Sequence, residues 1–144
     1  MSRAAIEPFT PTVTEKPWGQ EILVAHHPDG WRGVDGGHYG GYAGKILRRT
    51  VEGSRVGLQY HTLRDEIFHL LSGSVIVYFV DSDGLLRKYT MAPGESFHVP
   101  IGAIHSVETL TDSVMFEASC GPVTAGDAVN VEDQYEIPQA VNWP

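Results

Sequence analysis

The sequence predicts a single all-β domain, a sandwich or barrel of short strands. Three observations carry that expectation. From Lys45 onward, short apolar runs alternate with turn residues at even spacing. No long segment of helical period interrupts them. The 144 residues include sixteen glycines and nine prolines, more than a helical bundle tolerates and what many tight strand connections need.

Residues 1–17 are rich in proline and threonine (Pro8, Thr10, Pro11, Thr12, Thr14, Pro17) and read as an extended N-terminal arm. A first strand is expected near 20–25. The stretch that follows has no apolar periodicity and reads as loop, its glycine-rich part spanning 30–44. Further strands are expected near 45–51, 56–61, 66–71, 74–81, 86–91, 95–99, 104–109 and 113–119. Glu52-Gly53-Ser54, Ser72-Gly73, Asp81-Ser82-Asp83-Gly84, Ala92-Pro93-Gly94, Pro100-Ile101-Gly102 and Leu110-Thr111-Asp112 separate them. Asp83-Gly84 between apolar segments is a hairpin signal, because glycine admits the positive φ that such turns need. The run 74–80, SVIVYFV, is apolar on both faces, which implies cover from a second sheet or a partner subunit. The tail is expected to add one short helix or strand around Ala128 to Tyr135. No repeat or second domain is visible, so the chain reads as one domain, 1–144, with its core at about 44–119.

Apolar residues make up 42% and charged residues 19%, an ordinary globular balance. The net charge of −8 opposes binding to nucleic acid or an anionic membrane, both of which require clustered cations. One cysteine, Cys120, excludes an internal disulfide and suits a reducing compartment; before a Gly-Pro turn it reads as packing. The N-terminus lacks the apolar run of a signal peptide and no window approaches a membrane span, so a cytoplasmic location is expected.

Of seven histidines, His26 and His27 border Pro28-Asp29-Gly30 and read as exposed loop; His38 lies in the glycine-rich loop. His69 has the opposite strand parity to Glu66 and should face away from it. His98, before Pro100, reads as buried with a hydrogen-bond partner. The cluster 59–66, QYHTLRDE, differs from these. Gln59 and His61 are two apart on a strand and emerge from one face. A tight reversal would return the Glu66 carboxylate to His61, assembling half of an octahedral site for a divalent ion. A surface pair of Glu66 with Arg64 is the plain alternative.

The segment Gly53-x5-Gln59-x-His61-x4-Glu66-x6-Gly73 resembles the first cupin motif, and Gly94-x5-Pro100-x-Gly102-x2-His105 resembles the second. Within cupins the likeness is to the mannose-6-phosphate isomerase type. GLQYHTLRDE is similar to that group's SLQxHxxRxE signature, KPWG at 16–19 to its opening motif, and 114–136 to its closing stretch. The sequence departs from the pattern at Leu63, Asn130 and Glu136 and in its longer glycine-rich loop.

The resemblance implies a double-stranded β-helix, or jelly-roll barrel. It implies one divalent metal (zinc, manganese, iron, cobalt and nickel are not distinguished) held by Gln59, His61, Glu66 and His105. It further implies a homodimer and a carbohydrate-like small-molecule substrate, undergoing aldose–ketose isomerisation. In that chemistry Arg64 is expected to orient substrate oxygens or a phosphate. Glu117, Glu66 or a histidine at the barrel mouth, His38 or His98, would exchange the proton. Lys45, Arg48 and Arg49 form the densest basic segment and could reach a phosphate, Lys45 and Arg48 being the substrate-binding candidates; a solvated edge strand is the plain alternative. The 30–44 loop is either a lid over the mouth or a surface loop. Two rival readings remain at this point: an iron-dependent dioxygenase acting on a small molecule, and a non-catalytic sugar- or metabolite-binding cupin.

Overall fold

A computed structural model describes residues 5–121 and 125–144; the first four residues of the expected arm and residues 122–124 of the tail lie outside them. In chain order the strands are β1 (Thr12–Lys16), β2 (Gly19–His27), β3 (Trp31–Arg32), β4 (His38–Tyr39), β5 (Tyr42–Arg49), β6 (Gln59–His61), β7 (Asp65–Ser72), β8 (Val75–Val80), β9 (Leu86–Met91), β10 (Ser96–Val99), β11 (His105–Thr109), β12 (Ser113–Cys120), β13 (Ala128–Asn130) and β14 (Val141–Asn142).

One six-stranded sheet runs β1-β2-β5-β12-β7-β10, and a second runs β13-β6-β11-β8-β9-β14. Chain neighbours are therefore often separated in space, as a double-stranded β-helix requires, and closing two sheets on each other removes most free edges. Every strand expected from the sequence is present, with ends shifted by up to three residues. The Asp83-Gly84 hairpin forms as expected. Gly84 takes φ 81° and Val80 pairs with Leu86, while Asp81 Oδ1 accepts from the backbone N–H of Asp83 and Leu85.

Alternation along the strands sends one set of side chains between the sheets. Leu47, Phe68, Leu70, Val75, Val77, Met91, Val99, Val107 and Met115 form the central core, joined by Trp18. The outer face of β8 is covered differently from either expectation. Ile76, Tyr78 and Val80 pack with Leu58, Leu86, Val131, Tyr135, Ile137 and Ala140 in a second apolar cluster. The chain's own tail, in short 3-10 turns at Glu132–Gln134 and Ile137–Gln139, does the work assigned to a sheet or a partner.

The arm's extension is held by pairing, β1 lying antiparallel to β2 along its whole length. Three further expectations are corrected. The histidine pair His26 and His27 belongs to β2, and the glycine-rich stretch contains the small β3–β4 hairpin, with β5 starting at Tyr42. Cys120 is exposed rather than packed. Among the described residues no helix is long and apolar enough to cross a membrane.

The 16–19 stretch has a backbone purpose. Gly19 has φ 144°, and a Cβ there would collide with the Arg48 carbonyl, so only glycine lets β2 approach β5 at this point. The Trp18 carbonyl accepts from Thr50 N–H at 3.0 Å, fixing the indole against the end of β5.

Candidate metal centre

Three strands bring the candidate ligands together. Gln59 and His61 share the inner face of β6, and His105 opens β11 directly opposite Gln59. Residues 62–64 then cross from the second sheet to the first, so that Glu66 enters on β7 from the other wall of the barrel. His61, Glu66 and His105 are all buried, and their ligand atoms lie within 4.8 Å of one another. Gln59, half-buried, lines the same cavity of about 210 Å³.

The hydrogen bonds decide which atoms face the centre. His105 Nδ1 lies 2.9 Å from the Ala103 carbonyl, which can only accept, so Nδ1 carries the proton and Nε2 is bare. His61 Nδ1 lies 3.1 Å from Asp127 Oδ1, which fixes the same tautomer. The two Nε2 atoms stand 3.3 Å (His61) and 3.2 Å (His105) from Glu66 Oε1. Neither Glu66 oxygen has a well-directed hydrogen bond, although the side chain is 1% exposed. Three lone-pair donors thus converge on one buried point without a proton among them. Such a point demands positive charge. Arg64 supplies it here, with Nη2 at 2.8 Å from His61 Nε2 and Nε at 3.5 Å from Glu66 Oε2. The donor set fits a borderline divalent cation, and the carboxylate and carbonyl behind the histidines are the outer partners that metal-binding imidazoles use.

Glu117, on β12, sits beside Glu66 in the same cavity and is equally buried. Burial opposes charge on both. Glu117 is pushed well above the usual carboxylate range by burial and then by Glu66, with Lys45 and Arg64 opposing. Burial would raise Glu66 too, but contacts with His105, His61 and Glu117 hold it well below that range. The two neighbours are thus driven apart, Glu117 towards its neutral form and Glu66 towards its charged one.

The family model described as "Cupin domain" matches residues 48–118, a span that contains all four candidate ligands. The barrel has the cupin fold. Solved structures agree on the fold. The cupin is similar to KdgF from Halomonas sp. at 20% identity and TM-score 0.60, over 77% of this chain and 86% of that one. It is similar to oxalate decarboxylase from Bacillus subtilis at 16% identity and TM-score 0.63, over 84% and 30% of the two chains. It is also similar to the capsular polysaccharide assembling protein CapF from Staphylococcus aureus at 18% identity and TM-score 0.63, over 87% and 35%. The cupin thus spans about a third of the last two and most of the first. No curated protein matches its sequence significantly.

Of the other residues singled out in the sequence, Arg64, Glu117 and Lys45 line this cupin's cavity. Lys45 is 6% exposed and pairs with Glu21 at 2.6 Å and Glu117 at 3.8 Å. Arg48 is misplaced by the sequence reading: strand parity turns it outward, and it is Arg49 that lines the cavity. His38 is exposed on the β3–β4 hairpin, and no residue of that hairpin lines the cavity, so neither a base nor a lid is found there. His98 is exposed rather than buried and contacts Asp65 at 3.0 Å outside the cavity. His69 does face away from Glu66, with Nδ1 at 2.8 Å from Ser96 Oγ.

Asp127 is the site residue the sequence reading missed. It ends a single 3-10 turn before the three-residue strand β13, elements too short to carry a periodicity that would mark it, and only the pairing of β13 with β6 brings it to His61. Asp127→Asn keeps the shape but puts a possible donor against Nδ1 and removes the charge behind the ring. Metal affinity, measured by competition with a chromogenic chelator, is expected to fall roughly 10–100-fold.

Proposed function

We propose that this cupin is a metal-dependent aldose–ketose isomerase acting on a sugar or sugar phosphate. The observation that carries the reading is the convergence of His61, Glu66 and His105 at the end of a cavity that also holds Glu117, Lys45 and Arg64. The likeness of residues 57–66 to the mannose-6-phosphate isomerase signature supports the same choice. Gln59, His61, Glu66 and His105 would hold one divalent ion, which supplies a Lewis acid to polarise a carbonyl.

The chain's own groups do the rest. Glu117 Oε2, with Lys45 Nζ at 3.8 Å, is placed to give its proton to a substrate oxygen and, as the carboxylate left behind, to move a proton between the two adjacent carbons. Lys45, neutralised by Glu21 on its other side, steadies that carboxyl. Arg64 offers a planar fork of donors to substrate oxygens once it leaves the His61 ring. The walls, Leu47, Phe68, Val107 and Met115, exclude water around these groups.

The deciding experiment is a screen of free and phosphorylated aldoses for ketose formation. Chelation by EDTA is expected to abolish turnover, and zinc, manganese or cobalt to restore it. Stoichiometric oxygen uptake on adding ferrous iron would instead establish the oxidative reading. Ligand-induced stabilisation without turnover across the panel would leave a binding protein.

We further propose a cytoplasmic homodimer. The outer face of the first sheet supports it: Tyr42, Ile67, Leu71 and Phe116 are all exposed there on adjacent strands, and a second copy of the same apolar face would cover them. The mass in solution by light scattering is then expected to be twice 15.8 kDa.

A further inference from the structure

We propose that Arg49 is an anion seat in the cavity, holding a phosphate or carboxylate that the substrate carries at the end remote from the metal ligands. The inference rests on reading this cavity as the substrate cavity and selects, within that reading, anionic substrates over neutral sugars.

Four basic side chains line the cavity: Lys16, Lys45, Arg49 and Arg64. Three have carboxylate partners. Lys16 and Lys45 reach Glu21 at 3.8 and 2.6 Å, and Arg64 reaches Glu66 at 3.5 Å. Arg49 has none within ion-pair distance among the described residues, although it is 3% exposed. Its partners are neutral: Nε donates to Thr109 Oγ1 and Nη2 to the Val107 carbonyl, both at 2.9 Å. The Trp18 ring lies under the guanidinium at 4.7 Å. Burial lowers its pKa only to about 10, so the charge persists at neutral pH.

A guanidinium has five N–H donors in one plane, and these contacts use two. A buried cation without a counter-charge is costly, and this chain has acid to spare, with 18 acidic residues against 10 basic. That no carboxylate among the described residues meets Arg49 leaves the compensating anion to a ligand, and phosphate or carboxylate matches the fork. The placement suits one molecule touching both ends. The Val107 carbonyl that holds Nη2 is two residues along β11 from His105, a rise of about 7 Å. A sugar-length carbon chain spans that gap. Trp18, from the 16–19 stretch, then has a role besides packing: it fixes the plane of the fork.

The test is calorimetric titration of the metal-loaded protein with mannose 6-phosphate, mannuronate and mannose at constant ionic strength. The two anions separate phosphate from carboxylate as the bound group, and the neutral sugar is the reference. At least one anion is expected to bind about tenfold or more tightly than mannose. Arg49→Met is expected to bring all three within about twofold of one another while metal content stays unchanged. Should R49M fail to fold, Arg49→Lys, which keeps the charge but not the fork, is expected to reduce the preference at least about threefold. Equal binding of all three sugars by the wild-type protein overturns the seat, as does an undiminished preference in the folded variants. Binding is read without turnover, so a preference that depends on Arg49 in a protein showing no isomerisation would sink the isomerase reading and leave the seat standing.

Discussion

Replacing His105 with alanine is expected to strip the protein of its metal while leaving the barrel folded. Among the described residues His105 supplies one of two imidazole Nε2 atoms at the centre, and its tautomer is fixed by the Ala103 carbonyl behind it. Its nearest ring neighbours are His61 and Phe68, the first already a candidate ligand and the second apolar. The loss in affinity should exceed the roughly 10–100-fold expected for an outer partner such as Asp127, because a direct ligand is removed. Elemental analysis after loading and gel filtration reads the result as metal per chain. The His61→Ala variant should behave alike. Folding should survive in both because the central core of Leu70, Val75, Val77 and Met115 is formed by residues farther along the strands. An unchanged far-ultraviolet circular dichroism spectrum with near-stoichiometric metal in either variant would remove the proposed centre.

Glu117→Gln is expected to leave the metal in place and take away turnover. The substitution preserves volume and hydrogen-bonding reach in a side chain that is 6% exposed, so packing against Lys45 and Glu66 changes little. An amide cannot exchange a proton with carbon. General acid–base catalysis is worth roughly 10²–10⁴-fold, so kcat should drop by that factor, about 3–5 kcal/mol in the barrier. KM for an isomerisable aldose should stay within a small factor, because substrate contact rests on other groups. A variant with normal kcat would move the proton transfer elsewhere; a variant without metal would make Glu117 part of the ligand shell.

How much of this was legible beforehand differs by residue. His61 and Glu66 were readable because alternation on β6 and a short reversal are local, and His105 because its motif spacing repeats a known pattern. Lys45 and Arg48 show the limit of the same logic. Both lie in one basic run, yet only parity against the folded barrel tells that Lys45 points in and Arg48 out, leaving Arg49 inside. His98 failed for a related reason: β10 is an edge strand of its sheet, so a side chain on its outer face meets solvent rather than a second layer. The 74–80 run announced burial on two faces but not what would cover the outer one.

The amino-acid order by itself determined the main barrel strands, the turns between them and the all-β class, because period-two alternation and glycine turns act over a few residues. Only the tertiary structure decided that Asp127 stands behind His61, that Glu117 sits beside Glu66, and that Arg49 is buried with no carboxylate partner among the described residues. Each of those facts joins side chains more than fifty residues apart, and no local preference can encode which strand of a closed barrel will lie beside which.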